Sequence, residues 1–397
     1  MKTNKAYMKL SNKFSARNYL PLPVVLTRGK GVWVWDVEGN RYLDMLSAYS
    51  ALNQGHCHPH IVKAMQKQAS RLTLTSRAFL DDQMGLFLKK LCKQTGYEKA
   101  LPMNSGAEAV ETAIKVARKW GYLKKQIRKN QAEIIVCKNN FHGRTTTIIG
   151  FSSERQYRDG FGGFTPGFKM IPYNNAKALA KAINRNTIGF LFEPIQGEGG
   201  VIVPDKGYVK ECSSICKKNR VLMIDDEIQT GLGRTGRLFA CEHEKIRPDI
   251  VIIGKALSGG FYPVSAILCD NRIMNVLHPG DHGSTFGGNP LASAIGIAAL
   301  EVIEKEKLAQ RAYKLGNWFM KELSKIKSPI IKEVRGKGLL IGVELKTKAR
   351  KYCEELMKLG ILAKETHATV VRFAPPLIVK KKELQWALPR IKKVLCK

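Results

Sequence analysis

Nowhere among the 397 residues is there an unbroken apolar stretch long enough to cross a membrane, so no transmembrane helix is expected. The opening residues, Met1-Lys2-Thr3-Asn4-Lys5, lack the apolar centre of a secretory signal. What reads as structured chain begins by Tyr19-Leu20-Pro21-Leu22-Pro23, which leaves no room for a long transit peptide. Low-complexity tracts and internal repeats are missing too. A globular chain of this length, with 44% hydrophobic residues, is expected to bury a large core in two lobes. Nine cysteines, odd in number and scattered, form no disulfide framework and fit reduced thiols in the cytoplasm. Metal-ligand spacing is absent as well. His56-Cys57-His58 has no second ligand pair, and Cys212 and Cys216, four apart on an expected helix, have no histidine partners.

Acidic residues are scarce, 33 against 66 lysines and arginines, giving a formal net charge of +33. A field of that sign attracts polyanions, so nucleic-acid binding has to be weighed. The basic residues are dispersed, however. The short clusters Lys124-Lys125 to Arg128-Lys129 and Lys380-Lys381-Lys382 have no interleaved aromatic platform. A solvated lysine-rich surface, with no nucleic-acid partner, is the reading adopted.

What is present is an alternation of strands and helices. Strand-like runs at Ile134–Cys137, Ile188–Phe192, Val221–Ile224, Ile250–Ile253 and Val264–Leu268 alternate with helical stretches, which implies an α/β domain with a mostly parallel sheet. In such sheets ligands bind beyond the carboxyl ends of the strands. Asp226, in Asp225-Asp226-Glu227-Ile228-Gln229, and Lys255, in Gly254-Lys255-Ala256-Leu257-Ser258-Gly259-Gly260, both fall there. A lysine and a carboxylate at neighbouring strand ends suit pyridoxal phosphate: the amine forms a Schiff base, and the carboxylate keeps the pyridine nitrogen protonated.

Other segments add parts to the site. Asn104-Ser105-Gly106-Ala107-Glu108 opens a helix whose apolar face is Val110, Ala113, Ile114, Ala117 and Trp120. Small residues there offer free N–H groups and a positive dipole end to a phosphate, although Ser105 alone reads equally as a helix cap. In Phe141-His142-Gly143-Arg144, the aromatic ring suits stacking on a pyridine and Arg144 suits a carboxylate. Glu193-Pro194-Ile195-Gln196-Gly197-Glu198 places two glutamates on a glycine-rich segment.

Together with Gly283-Ser284-Thr285-Phe286-Gly287-Gly288-Asn289-Pro290 and Arg372-Phe373-Ala374-Pro375-Pro376, these motifs resemble the ornithine aminotransferases, within the class III, fold-type I aminotransferases. The match runs in order from about Asn18 to Pro376. It implies a large domain with a mostly parallel central sheet and a smaller α+β domain built from both chain ends. The expected division is 1–50, 51–290 and 291–397, the last beginning with a linking helix that continues from about Pro290 to Ile326.

The resemblance also implies roles. Lys255 would carry pyridoxal phosphate, Asp226 would pair with its pyridinium, Gln229 would touch the ring hydroxyl, and Phe141 and Ile228 would sandwich the ring, beside His142. Ser105, Gly106 and Ala107 would hold the phosphate, with Ser284 and Thr285 reaching the neighbouring subunit's phosphate in a homodimer. Tyr19 and Tyr49 match ornithine-pocket tyrosines. Arg144 would bind the α-carboxylate of ornithine, and Arg372 that of glutamate once Glu198 unmasks it. The implied reaction moves the δ-amino group of ornithine to 2-oxoglutarate. The alternatives are N-acetylornithine or 4-aminobutyrate as donor, or a basic nucleic-acid-binding protein on the same scaffold. Two departures stand out: His142 where some ornithine enzymes carry Trp, and Asp225 where a small or apolar residue is usual.

Overall fold

The computed structural model describes residues 3–396. Its central sheet holds β4 (Lys99–Met103), β5 (Glu133–Cys137), β6 (Phe168–Ile171), β7 (Thr187–Phe192), β8 (Leu222–Asp226), β9 (Ile250–Ile253) and β10 (Ser265–Cys269), in the order β4-β10-β9-β8-β7-β5-β6. Only β10 runs against its neighbours; the pairs from β9 across to β6 are parallel. Every residue of β7, β8, β9 and β10 is buried. That is why these strands read as apolar runs rather than as alternating patterns: helices cover both faces of a parallel sheet. The helix Gly106–Leu123 lies on one face. Its Val110, Ala113, Ile114, Ala117 and Trp120 pack in one cluster with Ile224, Ile252 and Ile267.

Two smaller sheets draw on the chain ends. One has the order β1 (Leu26–Lys30), β2 (Trp33–Asp36), β3 (Arg41–Asp44), then β13 (Ile361–Leu362). β2 and β3 form a hairpin around Gly39, and β13 joins β3 in parallel, so segments more than 300 residues apart share a sheet. The other is antiparallel, β11 (Ile331–Lys337), β12 (Leu340–Leu345), β15 (Val370–Phe373), β14 (Lys364–Thr366). The single linking helix is a correction: two helices form, Pro290–Lys305 and Leu308–Ser324. Lys307 between them is left-handed (φ 51), and the turn redirects the chain so that Leu308, Ala312 and Phe319 enter the main core. No helix among the described residues is long and apolar enough to cross a membrane.

The end of β8 carries an unusual load. Asp225 and Glu227, both buried, lie with Cys241 so that their ligand-capable atoms are within 4.8 Å of one another. Glu227 accepts hydrogen bonds from the Cys241 N–H and the Thr230 hydroxyl, whereas neither Asp225 oxygen has a partner among the described residues. Burial and then Glu227's charge push the Asp225 carboxyl well above its usual value, and burial lifts Glu227 to about 7. An acid with raised pKa holds its proton in the folded chain after the unfolded chain has released it. Its stabilising effect is therefore full below the ordinary carboxylate range near pH 4 and is lost as the pH climbs to 7 and beyond. Asp225→Ala is expected to flatten the fall in unfolding free energy between pH 5 and 9 by about 1–3 kcal/mol. Urea unfolding at both pH values measures this; parallel pH profiles for the two proteins would show that Asp225 holds no such proton.

Candidate active site

β8 and β9 end side by side, and each delivers one reactive side chain. Asp226 is the last residue of β8 and is almost wholly buried. One of its oxygens meets His142 Nδ1 at 2.7 Å and the other accepts the Ile228 N–H at 3.1 Å. His142 is fully buried. Burial opposes its protonation, but the hydrogen bond to Asp226, that residue's charge and Glu193's together hold its pKa above the usual imidazole value. Burial lifts Glu193 to about 7, against the pull of His142 and with help from Asp226. Glu193 in turn accepts the Phe141 N–H at 2.9 Å, which fixes the loop after β5.

Lys255 follows β9 through Gly254 and sits in the left-handed region (φ 44). Its amine has no hydrogen-bond partner among the described residues. Burial outweighs the opposing charges of Glu198 and Asp226, and Arg372 adds to the effect, so its pKa falls below that of an ordinary lysine. A larger fraction of neutral, nucleophilic amine results.

Two adjoining cavities meet at Lys255 and Gly106. One, of about 210 Å³, is lined by Ala107, Phe141, His142, Asp226, Ile228 and Gln229. The other, of about 340 Å³, runs along Asn104, Ser105, Ser258 and Tyr262. A Cβ on Gly106 would stand 3.0 Å from the Ile228 side chain, so the glycine keeps the first cavity open. Ser105 caps the helix Gly106–Leu123 in a reciprocal box with Glu108, which settles the cap reading without removing Ser105 from the cavity wall. The N–H groups of Gly106 and Ala107 lie in the first helical turn and carry no hydrogen bond, ready for an anion.

Above these cavities lies Arg372 of β15, about 1% exposed. It donates to Glu198 at 2.6 Å and to Gln229 at 3.4 Å, while its Nε and Nη2 are buried without partners. Burial works against the Glu198 carboxylate, but Arg372's charge and hydrogen bond prevail and lower its pKa. The Tyr49 ring lies 4.9 Å from the Arg372 guanidinium. Gln229, expected at a ring hydroxyl, donates instead to Glu198 at 3.1 Å.

Other expected residues stand further out. Arg144 is exposed, its guanidinium 4.1 Å from the Tyr157 ring and 5.9 Å from that of Phe141. Tyr19 is 75% exposed and lines neither cavity. Ser284 accepts from Asn104 of its own chain at 2.8 Å, and Thr285 is exposed. His56 and His58 bind Asp44 and Glu306 at 2.7 and 2.8 Å. Tyr157 was missed because the polar stretch around it carries no motif. The pairing of His142 with Asp226 was missed because 84 residues separate them.

A flat, phosphorylated aromatic aldehyde fits this donor set: an amine beside a buried carboxylate, apolar side chains on either side, and free N–H groups at a helix start. Comparisons agree. The family model described as Aminotransferase class-III matches residues 14–395. The ornithine aminotransferases of Brevibacillus brevis and Bacillus subtilis are each 57% identical, over 99% of this chain and 98% of theirs. Among solved structures, the ornithine aminotransferase of Toxoplasma gondii ME49 superposes with a TM-score of 0.98 at 46% identity, covering 100% of this chain and 95% of that one. An acetylornithine aminotransferase from Elizabethkingia anophelis gives 0.91 at 50%, covering 100% and 99%. With its lysine and carboxylate at adjoining strand ends and a family match across nearly its full length, the chain belongs to the class III aminotransferases.

Proposed function

We propose that the protein transfers the δ-amino group of L-ornithine to 2-oxoglutarate with pyridoxal 5'-phosphate. The products are glutamate and glutamate 5-semialdehyde, which cyclises to pyrroline-5-carboxylate. The observation that carries this reading is the buried Arg372, tied to Glu198 under the Tyr49 ring and next to Lys255. A site for one α-amino acid would leave such an arginine open. Here it is closed, as a dibasic donor presenting its far amine requires.

When bound, pyridoxal phosphate supplies the aldehyde and the electron sink. Lys255 holds it and then moves the proton at Cδ of ornithine. Asp226, kept in place by His142 and the Ile228 N–H, offers a fixed negative charge to the pyridinium. Phe141 and Ile228 would flank the ring, and Ser105, Gly106 and Ala107 would meet the phosphate. Arg144 and the two tyrosines, Tyr19 and Tyr49, receive the α-amino acid end of ornithine. In the second half-reaction Glu198 swings away, and Arg372 takes the α-carboxylate of the acceptor. The exposure of Thr285 and Phe286 supports a homodimer in which a second copy completes the phosphate site. Nine free cysteines support a cytoplasmic location.

The Elizabethkingia neighbour favours one second reading, N-acetylornithine as donor. Pyrroline-5-carboxylate released from free ornithine, with N-acetylornithine and 4-aminobutyrate inert, separates the two; the converse pattern of activity would reject ornithine. Asp226→Ala is expected to cut turnover by about 100-fold or more, because a neutral pyridine accepts electrons poorly; near-normal turnover would remove Asp226 from the chemistry. Glu198→Gln should open Arg372 to ordinary α-amino donors. Half-reaction spectra should then show kcat/KM rising for glutamate and falling for ornithine, by about tenfold in their ratio. An unchanged ratio would mean that Glu198 does not gate the arginine.

A further inference from the structure

A cavity of about 870 Å³, larger than either of those at Lys255, opens at the opposite ends of the same strands. Val221, Leu222 and Asp249 line it where β8 and β9 begin. Leu222 and Asp226 are four residues apart on one strand, so about 13 Å separates this floor from the active-site carboxylate. Its walls come from the last turn of the helix Gly106–Leu123, from the helix Tyr208–Lys218 and from the short helix Asn271–Met274.

Five basic side chains and one acid line this space. Arg247 is neutralised by Asp270 through hydrogen bonds of 2.8 and 2.6 Å, and Arg272 pairs with Asp249. That leaves Lys124, Lys217 and Arg220, none of which has a carboxylate partner among the described residues. Arg220 makes one hydrogen bond, a long 3.4 Å contact to the Lys124 carbonyl. Its charge, second to burial, depresses the pKa of neighbouring Lys125, a sign of how little negative charge compensates this corner. Neutral donors line the space too: the exposed side-chain amides of Asn271 and Asn275, the Ser213 hydroxyl and the Trp120 indole N–H, none with a protein partner among the described residues.

Three cations without a carboxylate partner, one at the end of the helix Gly106–Leu123 and two around the end of the helix Tyr208–Lys218, line a space of metabolite size together with the Asn271 and Asn275 amides and match an anion with several charges spread over a few ångströms. A monoanion would engage one of them. We infer that this cavity binds a compact small molecule carrying two or more linked phosphates, gripped by Lys124, Lys217 and Arg220 with Asn271 and Asn275 as neutral donors.

Inorganic tripolyphosphate is the probe. Titrated calorimetrically into the holoenzyme at about 0.15 M salt, where long-range attraction is screened, it is expected to saturate one site per chain and to bind more tightly than monophosphate. Lys217→Ala combined with Arg220→Ala should weaken that binding at least tenfold. Lys314→Ala with Lys321→Ala removes the same charge from an exposed helix elsewhere and should leave binding intact. Transaminase activity and thermal midpoint should match wild type in both double variants, which shows that each is folded. Absence of a saturable site, undiminished binding after the first pair of changes, or equal loss from both pairs would each overturn the inference, the last by tracing binding to bulk surface charge.

Discussion

A carboxylate at the end of a fully buried strand is the constraint on which this structure turns. Burying a carboxyl without partners is costly, and both oxygens of Asp226 are engaged, one by His142 and the other by the Ile228 N–H. His142 is placed by the loop after β5, which Glu193 anchors through the Phe141 N–H. The same loop therefore sets both the partner of the carboxylate and an aromatic wall of the cavity. Asp225, one residue away, points to the other face of the strand and carries its load differently, as a raised acid beside Glu227. The strand's alternation keeps the two adjacent aspartates apart.

A second constraint falls on Arg372. Its neighbour Arg234 is also fully buried, with hydrogen bonds to the carbonyls of Leu339 and Pro375 and to Asn53, and burial pulls its pKa down to about 9. Arg234 is thus committed to the framework, whereas two nitrogens of Arg372 remain unengaged. The Tyr49 ring is brought over Arg372 by an expensive device: Ser47, Ala48, Tyr49 and Ser50 all have positive φ, between 45 and 72°. Left-handed geometry costs about 1–2 kcal/mol for each such residue. Asp44 holds the turn by accepting the N–H groups of Leu46 and Ser47, and the Ser47 hydroxyl donates to the Ala374 carbonyl. Ala374 lies two residues after Arg372, so the turn and the arginine are registered directly against each other. Strain of this kind, over-determined by surrounding hydrogen bonds, is characteristic of a site rather than of a scaffold.

How far the sequence revealed all this depends on burial. β5, β7, β8, β9 and β10 were legible because doubly covered strands must be apolar along their length. β4 and β6 were not: β4 contains Lys99 and Pro102, and β6 at the sheet edge alternates only weakly. The end of the helix at Lys305 was hidden because Lys307 is neither glycine nor proline, and left-handed lysine has no sequence signature. Site residues at strand ends, Asp226 and Lys255, followed from topology. Arg372, Glu198 and Tyr49 came from resemblance, since only the tertiary fold brings β15, the loop after β7 and the left-handed turn together. Tyr19, drawn from the same resemblance, stands exposed, away from the cavities at Lys255.

The excess of positive charge has a structural counterpart. Several of the 33 acids are withdrawn into the interior, where Asp36, Asp44, Glu193, Asp226 and Glu227 position hydrogen-bond networks instead of screening the surface. Of the acids that remain outside, many are held in short-range pairs, as Asp270 is by Arg247 and Glu344 by Lys332. Lysines, whose long stems tolerate solvent, have no comparable interior use beyond Lys255. Burying acids for placement while leaving lysines outside produces a positive field without any run of basic residues. That field is shallow over convex surface and strongest where walls of low dielectric converge. Two such concavities sit at opposite ends of β8 and β9: one is balanced by Asp226 and Glu198, and the other has only Asp249, already claimed by Arg272.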